Sequence, residues 1–127
     1  MTASNGGTSD GTPIVQKTDQ NSTSQQWKLA YTSGGYLTLT GVGSGKALDI
    51  NAASTWPGTQ LRLGTPSGSV SQQWLIAPAG SGSYTIESRS NGYKADVYKA
   101  QTTDGTPIDQ WYTNGSNNQR WKSVKIS

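Results

Sequence analysis

Apolar residues recur in this chain every second position, in short bursts. Leu37 and Leu39, Leu48 and Ile50, Leu61 and Leu63, Tyr84 and Ile86, and Ala95 and Val97 each flank one polar or small residue. That is the signature of half-buried β-strands. No window of helical length carries an apolar stripe with a 3.6-residue period. Gly34-Gly35, Gly41–Gly45, Asn91-Gly92, Asp104-Gly105 and Asn114-Gly115 supply the turn chemistry between bursts. The pattern predicts four strands per unit, in the middle of the chain near 36–40, 46–50, 59–63 and 73–78.

The strands repeat. Trp27, Trp74 and Trp121 stand 47 residues apart. Two residues before each is a glutamine (Gln25, Gln72, Gln119), thirteen before is an aliphatic (Ile14, Leu61, Ile108), and sixteen before is a glycine followed by threonine (Gly11, Gly58, Gly105). The register needs no gap. It divides 1–127 into repeat one (1–33), repeat two (34–80) and repeat three (81–127), within a single domain. Repeat one is short at its start, because Met1 falls opposite Leu48 and Ala95, so one strand is expected to be missing from it. Such a chain is either a trimmed piece or a domain that takes that strand from elsewhere. Short strands with three-fold internal symmetry point to a closed all-β architecture around a pseudo-three-fold axis. Three equivalent Gln-x-Trp tryptophans are expected in the core, with the glutamines tying backbone near the turns.

Composition changes the picture mainly by exclusion. Only 31% of the 127 residues are apolar and 13% charged, which would suit disorder were there not five Trp and six Tyr. Burying one aromatic removes ~150–250 Å² from water, worth roughly 4–6 kcal/mol, so a few can hold a polar domain together. The net charge of +3 is spread along the chain rather than clustered, which argues against nucleic acid as a partner despite a sequence pI near 9.3. No apolar run approaches membrane-spanning length. The chain has no Cys and no His, so disulfides, thiolate chemistry and the commonest zinc ligand and general base are absent. The acids are dispersed, no calcium-loop pattern occurs, and neither a metal nor a cofactor is implied.

The segments Gly-Lys-Ala-Leu-Asp-Ile (45–50), Gly-Thr-Gln-Leu (58–61) and Gln-Gln-Trp (72–74), with Gln-x-Trp three times in register, resemble the ricin-B-type β-trefoil family, including bacterial carbohydrate-binding modules of family 13. The resemblance covers nearly the whole chain. It implies a β-trefoil with up to three sugar pockets, each using the Asp of a Leu-Asp-Val-like strand, an aromatic on the following strand, and polar groups at the Gln-x-Trp. It also implies a secreted protein, and a polysaccharide partner reached on behalf of an attached glycoside hydrolase.

Only repeat three carries the full set. Asp96 lies in Ala95-Asp96-Val97, so its neighbours face the core and its carboxylate faces outward. Trp111 follows at the aromatic position, Asp109 shares its strand face by parity, and Asn118 and Gln119 complete the group. A carboxylate accepts hydrogen bonds from two adjacent hydroxyls. An indole covers the C–H face of a pyranose. Tyr98, two residues past Asp96, would wall the same pocket, and Tyr93 and Tyr112 flank it in sequence. Repeat two keeps Asp49 but has Gly64, Ser71 and Arg62 at the positions of Trp111, Asn118 and Asp109. Arg62 there is free to pair with Asp49, while Trp56, in the loop before Pro57, offers a platform for a rebuilt second site or packs on a neighbouring turn. Repeat one has Thr2, Lys17 and Ser24, and no binding is expected of it. Asp10 and Asp104, each preceding a glycine, read as turn residues.

These residues favour non-catalytic binding of mono-, oligo- or polysaccharides, galactose-like or plant-derived. A protein-interaction scaffold on the same fold is the alternative. Asp96 and Asp109 would also be a glycosidase pair, but an open polar pocket is expected to keep both ionised, so no enzyme is expected.

Overall fold

The computed structural model describes residues 1–124; the last three residues of repeat three lie outside the described part. Eleven strands follow one another: β1 (Thr2–Ala3), β2 (Ile14–Val15), β3 (Trp27–Tyr31), β4 (Leu37–Gly41), β5 (Ala47–Ile50), β6 (Leu61–Gly64), β7 (Trp74–Gly80), β8 (Ser83–Ser88), β9 (Lys94–Val97), β10 (Ile108–Trp111) and β11 (Trp121–Lys122). There is no α-helix among the described residues, only 3₁₀ turns. The four strands expected in repeat two are β4 to β7, displaced by one or two residues.

Within each repeat an antiparallel pair carries the pocket elements: β1–β2, β5–β6 and β9–β10. The three pairs close on one another in a ring. Gly11 N donates to Leu63 O (2.8 Å), Gly58 N to Gln110 O (2.7 Å), and Gly105 N to Gln16 O (2.8 Å). Each glycine has φ near +90°, where a Cβ would be strained, which explains why glycine recurs there. Every repeat thus rests its loop on the second strand of the next repeat's pocket pair or the residue just past it, and the last rests on the first. This is the β-trefoil. Ile14, Leu48, Ile50, Leu61, Leu63, Trp74 and Ile108 are fully buried inside it.

The Gln-x-Trp residues lock the repeats as expected. Trp27, Trp74 and Trp121 donate Nε1 hydrogen bonds to Met1 O, Leu48 O and Ala95 O (3.0, 3.1 and 3.2 Å). Gln25, Gln72 and Gln119 donate to Thr18 O, Thr65 O and Tyr112 O, and accept from Gln20 N, Ser67 N and Asn114 N. The tryptophans are not equally buried, however. Trp74 pairs on both sides, with Leu37 of β4 and Ser88 of β8. Among the described residues Trp27 pairs only with Gly41, and Trp121 only with Tyr84, and both are half-buried. No strand of repeat one precedes β1 among the described residues.

After each pocket strand the chain turns through two consecutive left-handed residues: Asn5-Gly6, Ala52-Ala53 and Lys99-Ala100, with φ between 50° and 65°. Asn-Gly suits that conformation; alanine and lysine do not. The double change Ala52→Asn, Ala53→Gly, which copies repeat one, is expected to stabilise the protein by about 1 kcal/mol. A higher urea midpoint checks this, and an unchanged or lower one refutes it.

Candidate functional site

In repeat three the antiparallel register of β9 and β10 sets Asp96 directly opposite Asp109, and Lys94 directly opposite Trp111. All four side chains lie on one face. Lys94 was not singled out by sequence. Its ammonium is held by Glu87, so it frames the site while its charge is already met. The 3₁₀ turn Asn117–Gln119 folds over the acids. Asp96 Oδ2 accepts from Gln119 Nε2 (2.8 Å) and Asn118 Nδ2 (3.1 Å), and Asn118 also donates to Val97 O (3.2 Å). Trp111 is 41% exposed at the mouth. Its ring meets Tyr112 edge-on at 5.6 Å, and Tyr112 meets Tyr93 edge-on at 5.0 Å, so the platform is braced from one side by two tyrosines.

The acids are not open to solvent as expected. Asp96 and Asp109 are each 4% exposed, because the turn carrying Asn118 and Gln119 covers the face that points away from the core. Burial, then the hydrogen bond to Asp96 and its negative charge, push the Asp109 carboxyl up from 3.8 to about 8. Asp109 Oδ1 has no protein donor while the acid is ionised; once protonated, Asp109 hydrogen-bonds to Asp96. Asp109 therefore keeps its proton near neutrality.

The raised acid has a consequence for stability. Between about pH 4 and pH 8 the folded chain holds a proton that the unfolded chain has released, so stability falls as pH rises through that window. Asp109→Asn keeps the shape and gives Asp96 a permanent donor. We expect it to flatten this decline and to add about 2 kcal/mol above pH 8, where the parent carries an unpaired buried charge. Urea midpoints between pH 5 and 9 test this; parallel profiles for parent and variant would refute it.

Two other expected contacts are revised. Gln119 is 1% exposed and its amide is committed to Asp96, Tyr112 and Asn114, so it acts by holding Asp96. Gln25 and Gln72 make the same backbone bonds in repeats without the aromatic platform, which marks that role as structural. Tyr98 does not continue the face of Asp96. β9 ends at Val97, and Tyr98 begins the left-handed turn, 40% exposed with Lys99 Nζ 5.3 Å from its ring centroid.

The equivalent position in repeat two is filled from within. Asp49 Oδ1 accepts from Ser71 Oγ and Ile50 N (2.8 Å each), and Oδ2 accepts from Gln72 Nε2 (3.2 Å) with Arg62 Nη2 at 3.6 Å. A Cβ at Gly64 would stand 2.3 Å from Asp49 Oδ2, so the carboxylate occupies the space a platform side chain needs. Asp49 and Trp56 do not form a second site. The loop carrying Trp56 is bound to repeat three: Gln110 Nε2 donates to Ser54 O (2.9 Å) and Trp56 O (2.8 Å), and a Cβ at Gly58 would touch Trp111. In repeat one a shallow cavity of about 190 Å³ is lined by Val15 and Lys17 together with Asp104 and Gly105 from the neighbouring loop. Asp104 and Asp10 are more than turn residues. Asp104 accepts from Thr18 N and Oγ1, and Asp10 from Thr65 Oγ1, each tying its loop to the next repeat.

This arrangement of three locked repeats with one open aromatic mouth defines a β-trefoil lectin-like domain. The model of the ricin-type beta-trefoil lectin domain-like family matches three overlapping stretches, 1–64, 23–111 and 70–127, and the chain belongs to that family. A designed three-fold symmetric protein, ThreeFoil, is 36% identical, with a TM-score of 0.96 over 98% of this chain and 89% of that one. An exo-β-1,3-galactanase from Clostridium thermocellum is 41% identical over 94% of this chain, with a TM-score of 0.92, but the match spans only 26% of the galactanase chain. A ricin B-like lectin from Macrolepiota procera, solved in complex with lactose, is 26% identical with a TM-score of 0.75, over 87% of this chain and 77% of that one. Comparison with curated proteins gives no match.

Proposed function

We propose that the protein is a non-catalytic sugar-binding module whose working pocket is in repeat three. The observation that carries this reading is the asymmetry of the three repeats. Only one places a half-exposed indole beside a carboxylate; the second is filled by Arg62 and Ser71, and the first offers Thr2 and Lys17. In this reading Trp111 covers the apolar face of a pyranose, Asn118 and Asp96 meet its hydroxyls, and Asp109 stays protonated behind them. The sugar is of the galactose type or from a plant polysaccharide. The galactanase and the lactose-bound lectin among the similar structures support that choice.

Secretion, and the tethering of an attached glycoside hydrolase to its polysaccharide, follow as parts of the same proposal. Tethering works by raising local concentration rather than by tight binding. One shallow pocket gives millimolar to high-micromolar affinity, roughly −4 to −6 kcal/mol. Titrating galactose, lactose, arabinose and xylo-oligosaccharides against tryptophan fluorescence and NMR shifts tests it. Saturable shifts at Trp111 are expected with at least one; silence with all four defeats the reading.

A further inference from the structure

Each pocket strand is bordered by a loop from the preceding repeat, and this makes four positions comparable at three junctions. Where repeat one meets repeat two they are Ser9 and Asp10 on the loop, and Gly64 and Thr65 on the strand. Where repeat three meets repeat one they are Thr103 and Asp104, and Lys17 and Thr18. Both junctions are sealed by an Asp–Thr hydrogen bond, Asp10 to Thr65 and Asp104 to Thr18. Where repeat two meets repeat three, every one of the four is apolar or aromatic: Trp56 and Pro57 on the loop, Trp111 and Tyr112 on the strand. The polar seal is absent at the one junction that carries the open platform.

Trp56 is 77% exposed, so it is not core and does not pack under a neighbouring turn. Its backbone is nevertheless fixed. Its N–H donates to Ser54 Oγ (3.1 Å), its carbonyl accepts from Gln110 Nε2 and Thr59 Oγ1 (2.8 Å each), and Pro57 restricts its ψ. Two residues on, Gly58 lies against the far edge of the Trp111 ring, where a Cβ would come within 3.7 Å of it. A large apolar side chain held on a rigid loop, exposed to water, and next to a second exposed indole is a prepaid binding surface: little order is lost when a ligand covers it. The rings themselves do not stack on each other, since Trp111 has its edge-on partner in Tyr112.

We infer that Trp56 is a second subsite of the repeat-three pocket, and that the protein recognises an oligosaccharide laid across the junction, one ring on Trp111 and a neighbouring ring on Trp56. This rests on the sugar-binding reading above and extends it. The specificity is then for chain length as well as for a terminal unit.

The test measures calorimetric affinity for galactose and xylose, each as the monosaccharide and as its β-linked di- and trisaccharide. The parent, Trp56→Ala, Trp56→Phe and Trp111→Ala are compared. The parent is expected to gain about tenfold from monosaccharide to trisaccharide in the series it binds. Trp56→Ala should bind the monosaccharide as the parent does and lose that gain, Trp56→Phe should keep part of it, and Trp111→Ala should lose all binding. A parent with no gain from added units, or a gain that survives Trp56→Ala, overturns the subsite while leaving the pocket standing. A parent that binds none of the sugars overturns both.

Discussion

Trp111→Ala loses sugar binding without loss of the fold. The indole is 41% exposed and belongs to no part of the buried core, so its removal leaves the packing around Ile108 and Leu61 intact. Its contribution is to the ligand. Covering one pyranose face withdraws on the order of 80 Å² of C–H surface from water, about 2 kcal/mol, or about thirtyfold in affinity. From a millimolar starting point that puts binding beyond detection. Titration with galactose and lactose, alongside a thermal melt, checks both halves. Retained binding by a folded variant would remove the platform from the account. The companion change at Asp96 is less clean than sequence suggests. Asp96 accepts from both Gln119 and Asn118, so alanine there would take one bond from each and leave the buried Gln119 amide short of an acceptor, at about 1–3 kcal/mol. A lost signal from that variant could come from the fold alone, which is why Trp111 is the better probe.

The repeat was legible because its cause is chemical and local. A buried indole needs an acceptor and a turn needs a tie, so Trp and Gln recur at fixed offsets in all three copies. Gly11, Gly58 and Gly105 were legible for the same reason, since only glycine sits comfortably at a φ near +90° with its N–H bonded to the next repeat. The left-handed turns were visible at Asn5-Gly6 but hidden at Ala52-Ala53 and Lys99-Ala100, where the surrounding ring imposes a conformation the residues do not favour. Trp56 was out of reach in another way. Counting within a repeat assigns it to Asp49, whereas the ring closure hands each loop to the following repeat. Parity likewise placed Asp96, Asp109 and Trp111 on one face correctly. It could not show that a 3₁₀ turn buries the two acids and leaves the indole open, because that depends on how the Gln-x-Trp turn folds over β9.

The same closure sets the largest effect expected on stability. The three Gln-x-Trp tryptophans are equivalent by sequence, yet truncating them to alanine should give unequal losses. Trp74 is 0% exposed, lies between β4 and β8, and donates to Leu48 O inside the core. Trp74→Ala leaves a cavity among Leu39, Leu48 and Ile86 and strands a buried carbonyl, a cost of about 4–5 kcal/mol. A domain of this size has about 5–15 kcal/mol in all, so melting should fall by on the order of 15 °C or the chain should fail to fold. Among the described residues Trp27 and Trp121 each pair on one side only, and both are half-buried, so water already reaches part of the ring and can serve the carbonyl left behind. Their truncation should cost about 2–3 kcal/mol. Urea unfolding of the three variants ranks them. Equal losses at all three positions would mean that the indoles experience one environment, and that one-sided pairing among the described residues carries no cost in stability.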